Sequence, residues 1–331
     1  MTGPAPAAAA APPALRLGFG CGSLGSEIGY RDSCALIEAA YEAGFRHFDV
    51  APPYGNGMAE RILGDVLAPV RQHITLVSKA GIAHPQNAAL LRALRQLALP
   101  VRRAWPSLWR RAAGTARRVA APRGQFAVDT VRASLDESLR RLRTDYLDAL
   151  LLHEVQPGDI DDELATWLLR QRTEGRVKAL GIGTGVGASV ALLAQHPLLL
   201  DWVQTDHYWG AFTPLLRRDG AMLITHRCLR DGWMLLQSPK RQASIDRHPS
   251  SRLLREALTS PAAGAACLLA AGLRQQAGRK LLVSASSPAR VRELVSWAQR
   301  AQGPWPEAEA VQDLMRQWAA AGSTADEHAR N

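Results

Sequence analysis

"GCGSLGSEIGYRD", residues 20–32, decides between two folds. Its opening "GCGSLG" satisfies the G-x-G-x-x-G pattern of a dinucleotide-binding turn, and it follows an apolar run, "LRLGF". A doubly wound phosphate loop must open directly into a helix, because the helix N-terminus holds the pyrophosphate. Here "SEIGYRD" comes before helical periodicity begins, so the match fails. A second match, "GTGVGA" at 183–188, stands better placed before a helix. Acidic residues follow both loops, Asp49 after the first and Asp206 after the second. Short glycine matches are weak warrant for a doubly wound sheet, and the rest of the chain points elsewhere.

Outward from residue 20, short apolar runs alternate with helical periodicity almost throughout. Strands are expected at "LRLGF" near 16, 45–50, 74–79, 146–153, 177–183, 202–208, 221–226 and 280–286. Helical patterns cover 31–43, 57–68, 127–143, 159–175, 187–196, a stretch within 250–277, and 288–300. Strands separated by helices pair in parallel through right-handed crossovers. Eight such units predict an α/β fold, the (β/α)₈ TIM barrel, whose usual size is about 250 residues plus insertions. A C-terminal extra helix, or a pair, is expected at 306–321. The domain reading is a disordered Ala/Pro-rich tail over 1–14 and a barrel over 15–321. A basic insertion at 84–125 follows strand three, and a flexible tail covers 322–331.

The 331 residues are 47% hydrophobic and 21% charged, enough apolar surface for a sizeable core. No run of about 18 apolar residues predicts a membrane span. "MTGPAPAAAAAPPA" lacks the cationic start of a signal peptide, and Cys21, Cys34, Cys228 and Cys267 are widely spaced. Reduced thiols and a cytoplasmic location are the expectation. The net charge of +10 is uneven: residues 84–125 hold nine arginines and no acid. Paired arginines around Trp105 and Trp109 could meet nucleic acid or anionic lipid. No nucleic-acid motif accompanies them, so a solvated segment that attracts an anionic cofactor or substrate is preferred.

The chemistry sits at strand ends, which converge on one mouth in such a barrel. "FDVAPPYGNGMAE" (48–60) ends a strand in Asp49 and places Tyr54 in a Pro/Gly-held turn. Strand three ends in Lys79 and strand four in His153. Each alone reads as structural: a paired Asp, a rim Tyr, a snorkelling Lys, a core His. Together they make a kit. A buried Asp needs a partner, and Lys79 supplies one. An ammonium near a phenol favours the phenolate and lowers its pKa from about 10. A histidine beside them can donate to a carbonyl oxygen.

These segments resemble the aldo-keto reductases. "AGFRHFDVAPPYGNGMAERILGDVL" is similar to that family's tyrosine segment, "LVSKAG" to its lysine strand, and "VRASLDESLRRLRTDYLDALLLHEVQP" to its long helix and histidine strand. "EGRVKALGIGTG", "WVQTDHY" and "LLVSASSPARVREL" resemble later segments in the right order, so the likeness covers about residues 15 to 300. It implies a catalytic set of Asp49, Tyr54, Lys79 and His153, with Tyr54 protonating a carbonyl oxygen while nicotinamide supplies hydride. It also implies cofactor contacts at Gly22, Ser23, Thr184, Gln204, His226, Arg227, Leu229, Ser284, Ser286 and Arg290.

The cofactor positions depart from the family pattern in places. Gly183-Thr184 stands where Ser-Asn is usual, His226 where a stacking tyrosine is usual, and Leu294 where Asn is common. Arg290 and the nearby serines suit a 2′-phosphate, which favours NADPH over NADH. The expected partner is a small-molecule carbonyl substrate. The alternative is a nucleotide-binding regulatory or scaffold protein on the same barrel, with weak or no turnover. "HEVQP" is not a zinc helix, so no metal is expected. Glu60 and Asp65 read as helix-face residues. Trp167, Trp202 and Trp297 are expected to pack barrel against helices, and Trp209 and Trp233 to line a substrate pocket.

Overall fold

A computed structural model describes residues 16–82, 124–197, 199–209, 221–275 and 279–328. Eight parallel strands close into a barrel in sequence order. They are β1 (Leu17–Gly20), β2 (His47–Asp49), β3 (Thr75–Ala80), β4 (Leu147–His153), β5 (Val177–Gly183), β6 (Trp202–Asp206), β7 (Met222–His226) and β8 (Lys280–Val283). β8 pairs back onto β1 through Leu17 and Leu281, which seals the ring. The helices around it are α1 (Tyr30–Glu42), α2 (Met58–Leu67), α3 (Val128–Leu142), α4 (Asp162–Thr173), α5 (Val186–Gln195) and α6 (Cys228–Leu236). They continue with α7 (Pro239–Arg247), α8 (Ser251–Ala257), α9 (Pro261–Gln275), α10 (Pro288–Arg300) and α11 (Pro306–His328).

The strands form because both their faces are buried, and β4, "LDALLLH", reads as an almost continuous apolar run for that reason. The outer faces meet the helices in one large core that includes Leu17, Phe19, Leu36, Phe48, Leu135 and Leu150. The interior of the barrel is a smaller, separate cluster of Val77, Ala149 and Leu151, with Ala179 and Trp202 against it. It is tight: a Cβ on Gly181 would stand 2.3 Å from the Trp202 carbonyl oxygen. His47 lies in this interior, stacked on Trp202 at 5.8 Å, and neither ring nitrogen finds a partner among the described residues. Burial holds its pKa down at about 4, so the imidazole is neutral. Trp202 therefore packs inside the barrel and not against a helix. Gln204 two residues on points the same way, as the period of a strand requires.

Three other departures from the sequence reading have local causes. α6 and α7 fill 228–247, outside the expected helices. α7 buries only Ile245, so its apolar stripe is absent. One helix, α11, replaces the possible pair at the C-terminus and continues to His328, since "AAAGSTADEH" holds no proline to stop it. β8 ends at Val283, because Ser284 turns its hydroxyl onto the Gly20 carbonyl at 2.9 Å. The tail 1–14 lies outside the described residues, as does all but the end of the basic segment 84–125. The chain leaves after Gly81 and returns beside it. Gln125 N donates to Gly81 O at 3.1 Å, and the Phe126 ring fills the space a side chain at Gly81 would need. Among the described residues the four cysteines are free, and no single helix is long and apolar enough to cross a membrane.

Candidate active site

The four strand-end residues converge at the C-terminal mouth. Lys79 Nζ lies 2.6 Å from Asp49 Oδ1 and donates also to the Val50 carbonyl at 3.2 Å. Both partners are buried, with 3% of each residue exposed, so this ion pair is shielded from water and held by direct hydrogen bonds. Gln204 Nε2 donates to the other carboxylate oxygen, Oδ2, at 3.1 Å. The Tyr54 ring passes over Lys79 with its centroid 5.5 Å from Nζ. His153 meets the same ring edge-on, centroid to centroid 6.3 Å. Tyr54 and His153 are half-buried, so they present an edge to the mouth while the ion pair lies beneath.

Local backbone explains how Tyr54 is aimed. Gly55, Asn56 and Gly57 take φ of 58°, 55° and 81° in succession, all left-handed. Only glycine does this freely, and asparagine is among the few side chains that tolerate it. A Cβ on Gly55 would stand 2.5 Å from the Leu24 carbonyl oxygen, so the loop after β1 presses directly on the tyrosine turn. The residues after His153 and His226 repeat the device without glycine: Glu154 has φ 59° and Arg227 φ 66°. A left-handed non-glycine residue costs on the order of 1 kcal/mol, and such strain gathers at functional sites.

Electrostatics refine the expectation for the tyrosine. Lys79 is the largest influence on Tyr54 and pulls its pKa down, as anticipated. Burial and the negative charge of Asp49 together outweigh it, and the net displacement is upward from 10.0. The phenol is thus fully protonated near neutral pH. Lys79 is held charged: burial pushes it down, but Asp49 and then Tyr54 push it up further, and its pKa ends raised. Cys21, buried beside this group, is pushed well up by burial and then by Asp49, so it is a neutral thiol.

A ring of further residues surrounds the tetrad. Gly22 stands against Tyr54, 4.0 Å from its Cε2 to the place a Cβ would occupy. Ser23 uses its carbonyl to close the loop after β1. Gln204 Oε1 is buried and has no partner among the described residues. The glycine at 183 leaves open the space 3.4 Å from that oxygen. An unsatisfied buried acceptor suits a primary amide N–H. Thr184 is 6% exposed, and its hydroxyl is 3.5 Å from Gln156 Nε2.

His226 is bound to Asp206, Nδ1 to Oδ1 at 3.2 Å, and this contact is the main reason the Asp206 pKa is lowered. Arg227 is shared by Asp206 at 3.1 Å and Asp231 at 3.0 Å. Leu229 packs partly against the core, and Ser284 and Ser286 are exposed at the end of β8. Arg290 lies in the first turn of α10, bonded to Glu293 at 2.8 Å and 4.4 Å above Trp297. Leu294 is fully buried on the inner side of α10. Trp209 is 5% exposed, edge-on to His207 at 4.4 Å, and Trp233 fills the space above Gly264. Among the described residues both rings pack against neighbouring side chains.

The fold and site define a (β/α)₈ barrel with a buried lysine–carboxylate pair under a half-buried phenol and imidazole at its C-terminal mouth. The chain belongs to the aldo/keto reductase family, which it matches over residues 16–196. A D-threo-aldose 1-dehydrogenase from a Pseudomonas species is 35% identical over 200 residues, a match spanning 56% of this chain and 55% of that one. A pyridoxal 4-dehydrogenase from Microbacterium luteolum is 26% identical across 85% of this chain and 88% of its own. Among solved structures, an aldo-keto reductase from Bacillus halodurans in its holo form superposes with a TM-score of 0.63 at 20% identity, covering 90% of this chain and 91% of that one. An aldo/keto reductase from Klebsiella pneumoniae in complex with NADP and acetate gives 0.61 at 19% identity, over 91% and 90%. At that identity the structures speak for the fold.

Proposed function

We propose that the protein reduces an aldehyde or ketone to an alcohol with NADPH, Tyr54 acting as proton donor. One observation carries the reading: Asp49, Tyr54, Lys79 and His153 stand together at the mouth with Lys79 charged and Tyr54 protonated. NADPH, when bound, supplies the hydride. The phenol gives its proton to the carbonyl oxygen, and Lys79 beneath the ring stabilises the phenolate left behind. Asp49 keeps Lys79 charged and in place, and Gln204 fixes the other carboxylate oxygen. His153, edge-on to Tyr54, is placed to orient the carbonyl by a hydrogen bond.

The residues present fit the cofactor. Gln204 Oε1 and Thr184 would hold the carboxamide, with no side chain at Gly183 beside that oxygen. His226 would lie against the nicotinamide face. Arg290, by exchanging Glu293 for a phosphate, would select NADPH over NADH. The smaller contact at Thr184 and His226 motivates the rival reading of a nucleotide-binding scaffold.

The test pairs binding with turnover. Tryptophan quenching should show NADPH binding tighter than NADH, weakened in Arg290→Ala. Consumption of NADPH against a panel of aldehydes and ketones should vanish in Tyr54→Phe while binding changes by less than about twofold. Reduction retained in Tyr54→Phe would refute the role of Tyr54. Tight binding with no turnover on any carbonyl in the wild type would favour the scaffold.

A further inference from the structure

We infer that the buried network Arg141–Glu60–Ser78 positions Tyr54 relative to Lys79, so that Arg141 and Glu60 govern turnover without touching substrate or cofactor. The inference rests on Tyr54 being the proton donor. Glu60 is 0% exposed and stands in the first turn of α2, directly after the tyrosine turn. Its Oε1 accepts from Ser78 Oγ at 2.8 Å, and its Oε2 from Arg141 Nη1 at 3.2 Å. Ser78 precedes Lys79 on β3 and points to the opposite face, out of the barrel toward α2. One carboxylate therefore joins the helix that follows Tyr54 to the strand that carries Lys79.

Arg141 completes the link from the last turn of α3. It also binds Glu137 at 2.8 Å, and its guanidinium lies against Gly57, where a Cβ would stand 2.7 Å from Cζ. Gly57 is the final left-handed residue of the turn that aims Tyr54. Two helical turns further on, a Cβ at Gly64 would come within 2.2 Å of the Arg141 carbonyl oxygen. The start of α2 is thus pressed against α3, with the Arg141 guanidinium at Gly57 and the α3 backbone at Gly64. Apolar packing would hold these elements together as well or better, since buried ion pairs are often replaceable without loss of stability. The ion pair adds direction: fixed-length hydrogen bonds tie three elements whose relative placement sets the Tyr54–Lys79 distance. Proton donation is sensitive to such placement, and an error of about 1 Å costs on the order of 100-fold.

Gly57→Ala, Arg141→Met, Arg141→Lys and Glu60→Gln test this on the full chain. Gly57→Ala and Arg141→Met should lower kcat between about 10- and 100-fold per folded molecule. NADPH affinity by tryptophan quenching should stay within about twofold, and the tyrosine-dependent limb of the kcat–pH profile should move. Arg141→Lys should recover part of kcat. Glu60→Gln keeps an acceptor for Ser78 and should lower kcat in the same direction, which provides a test if Arg141→Met fails to fold. Unchanged kcat per folded molecule in Glu60→Gln, with loss confined to the yield of folded protein, overturns the inference. Tyr54→Phe run in parallel separates the two claims. Reduction retained there removes the proton-donor reading itself. Reduction lost there, with Gly57→Ala and Glu60→Gln unimpaired, removes only the positioning role.

Discussion

Replacing Asp49 with Asn tests the electrostatics beneath the site. The substitution keeps the side chain's shape but removes the charge 2.6 Å from Lys79 Nζ. Lys79 then has only the Val50 carbonyl at 3.2 Å and the asparagine oxygen to accept from it. Gln204, which now donates to Asp49 Oδ2, faces an amide that can accept at one position only. Stripping one partner from a buried pair costs about 3–5 kcal/mol, because the other charge is left uncompensated. For a chain of this size that is a fall in Tm of roughly 4–7 °C. Adding Lys79→Met removes the stranded charge, so the double variant should recover at least half of the loss, which a double-mutant cycle reads directly.

The pH dependence checks the sign. In the wild type the Lys79 pKa is raised, so its contribution is fully present below the unfolded value and is lost only as pH climbs through the folded one. In Asp49→Asn burial dominates, the folded value drops below the unfolded one, and stability should rise between about pH 7 and pH 10. Thermal unfolding followed by circular dichroism across that window measures both effects. A flat or falling Tm for Asp49→Asn, or a double variant equal to the sum of the singles, would refute the reasoning.

Acid should weaken the protein through two buried imidazoles. Burial lowers His47 and His207 to about 4, so their stabilising effect is complete above the unfolded value near 6.5 and is lost as pH falls toward 4. Each is worth about 3 kcal/mol at the acid end, and urea midpoints should fall accordingly. His47→Leu should remove close to half of that acid dependence. Gly181→Ala would drive a methyl into the Trp202 carbonyl and Leu151 inside the barrel. It should lower stability by about 1–3 kcal/mol or more, seen as a lower Tm with cofactor binding retained in the folded fraction.

The barrel and its tetrad were legible because both are written as local pattern. An Asp, a Lys and a His each close an apolar run, and only a shared strand-end mouth makes that arrangement affordable. Of the helices after β7, α6 and α7 were not read; α7 has one buried residue and no stripe to detect. Partnerships across the mouth were equally hidden: that Asp206 holds both His226 and Arg227 depends on the parallel register of β6 and β7, which pairs Asp206 with His226. The interior position of Trp202 did carry a signal, because Gln204 at the mouth forces its neighbour two residues earlier onto the same face.

Glu60 is the instructive error. Read as a residue on a helix face, it is buried completely. The clue lay in its neighbours, for Gly57 and Gly64 flank it at helical spacing, and at Gly64 the backbone of α3 comes close. A carboxylate on a face that close-packed cannot reach water, so it must find a cation and a hydroxyl from other elements. Arg141 and Ser78 are those partners, yet they lie 81 and 18 residues away in the chain. Burial raises the Glu60 pKa against the pull of Ser138, Ser78 and Arg141. The Arg141 guanidinium that binds this carboxylate also lies against Gly57 of the tyrosine turn, so one side chain touches both.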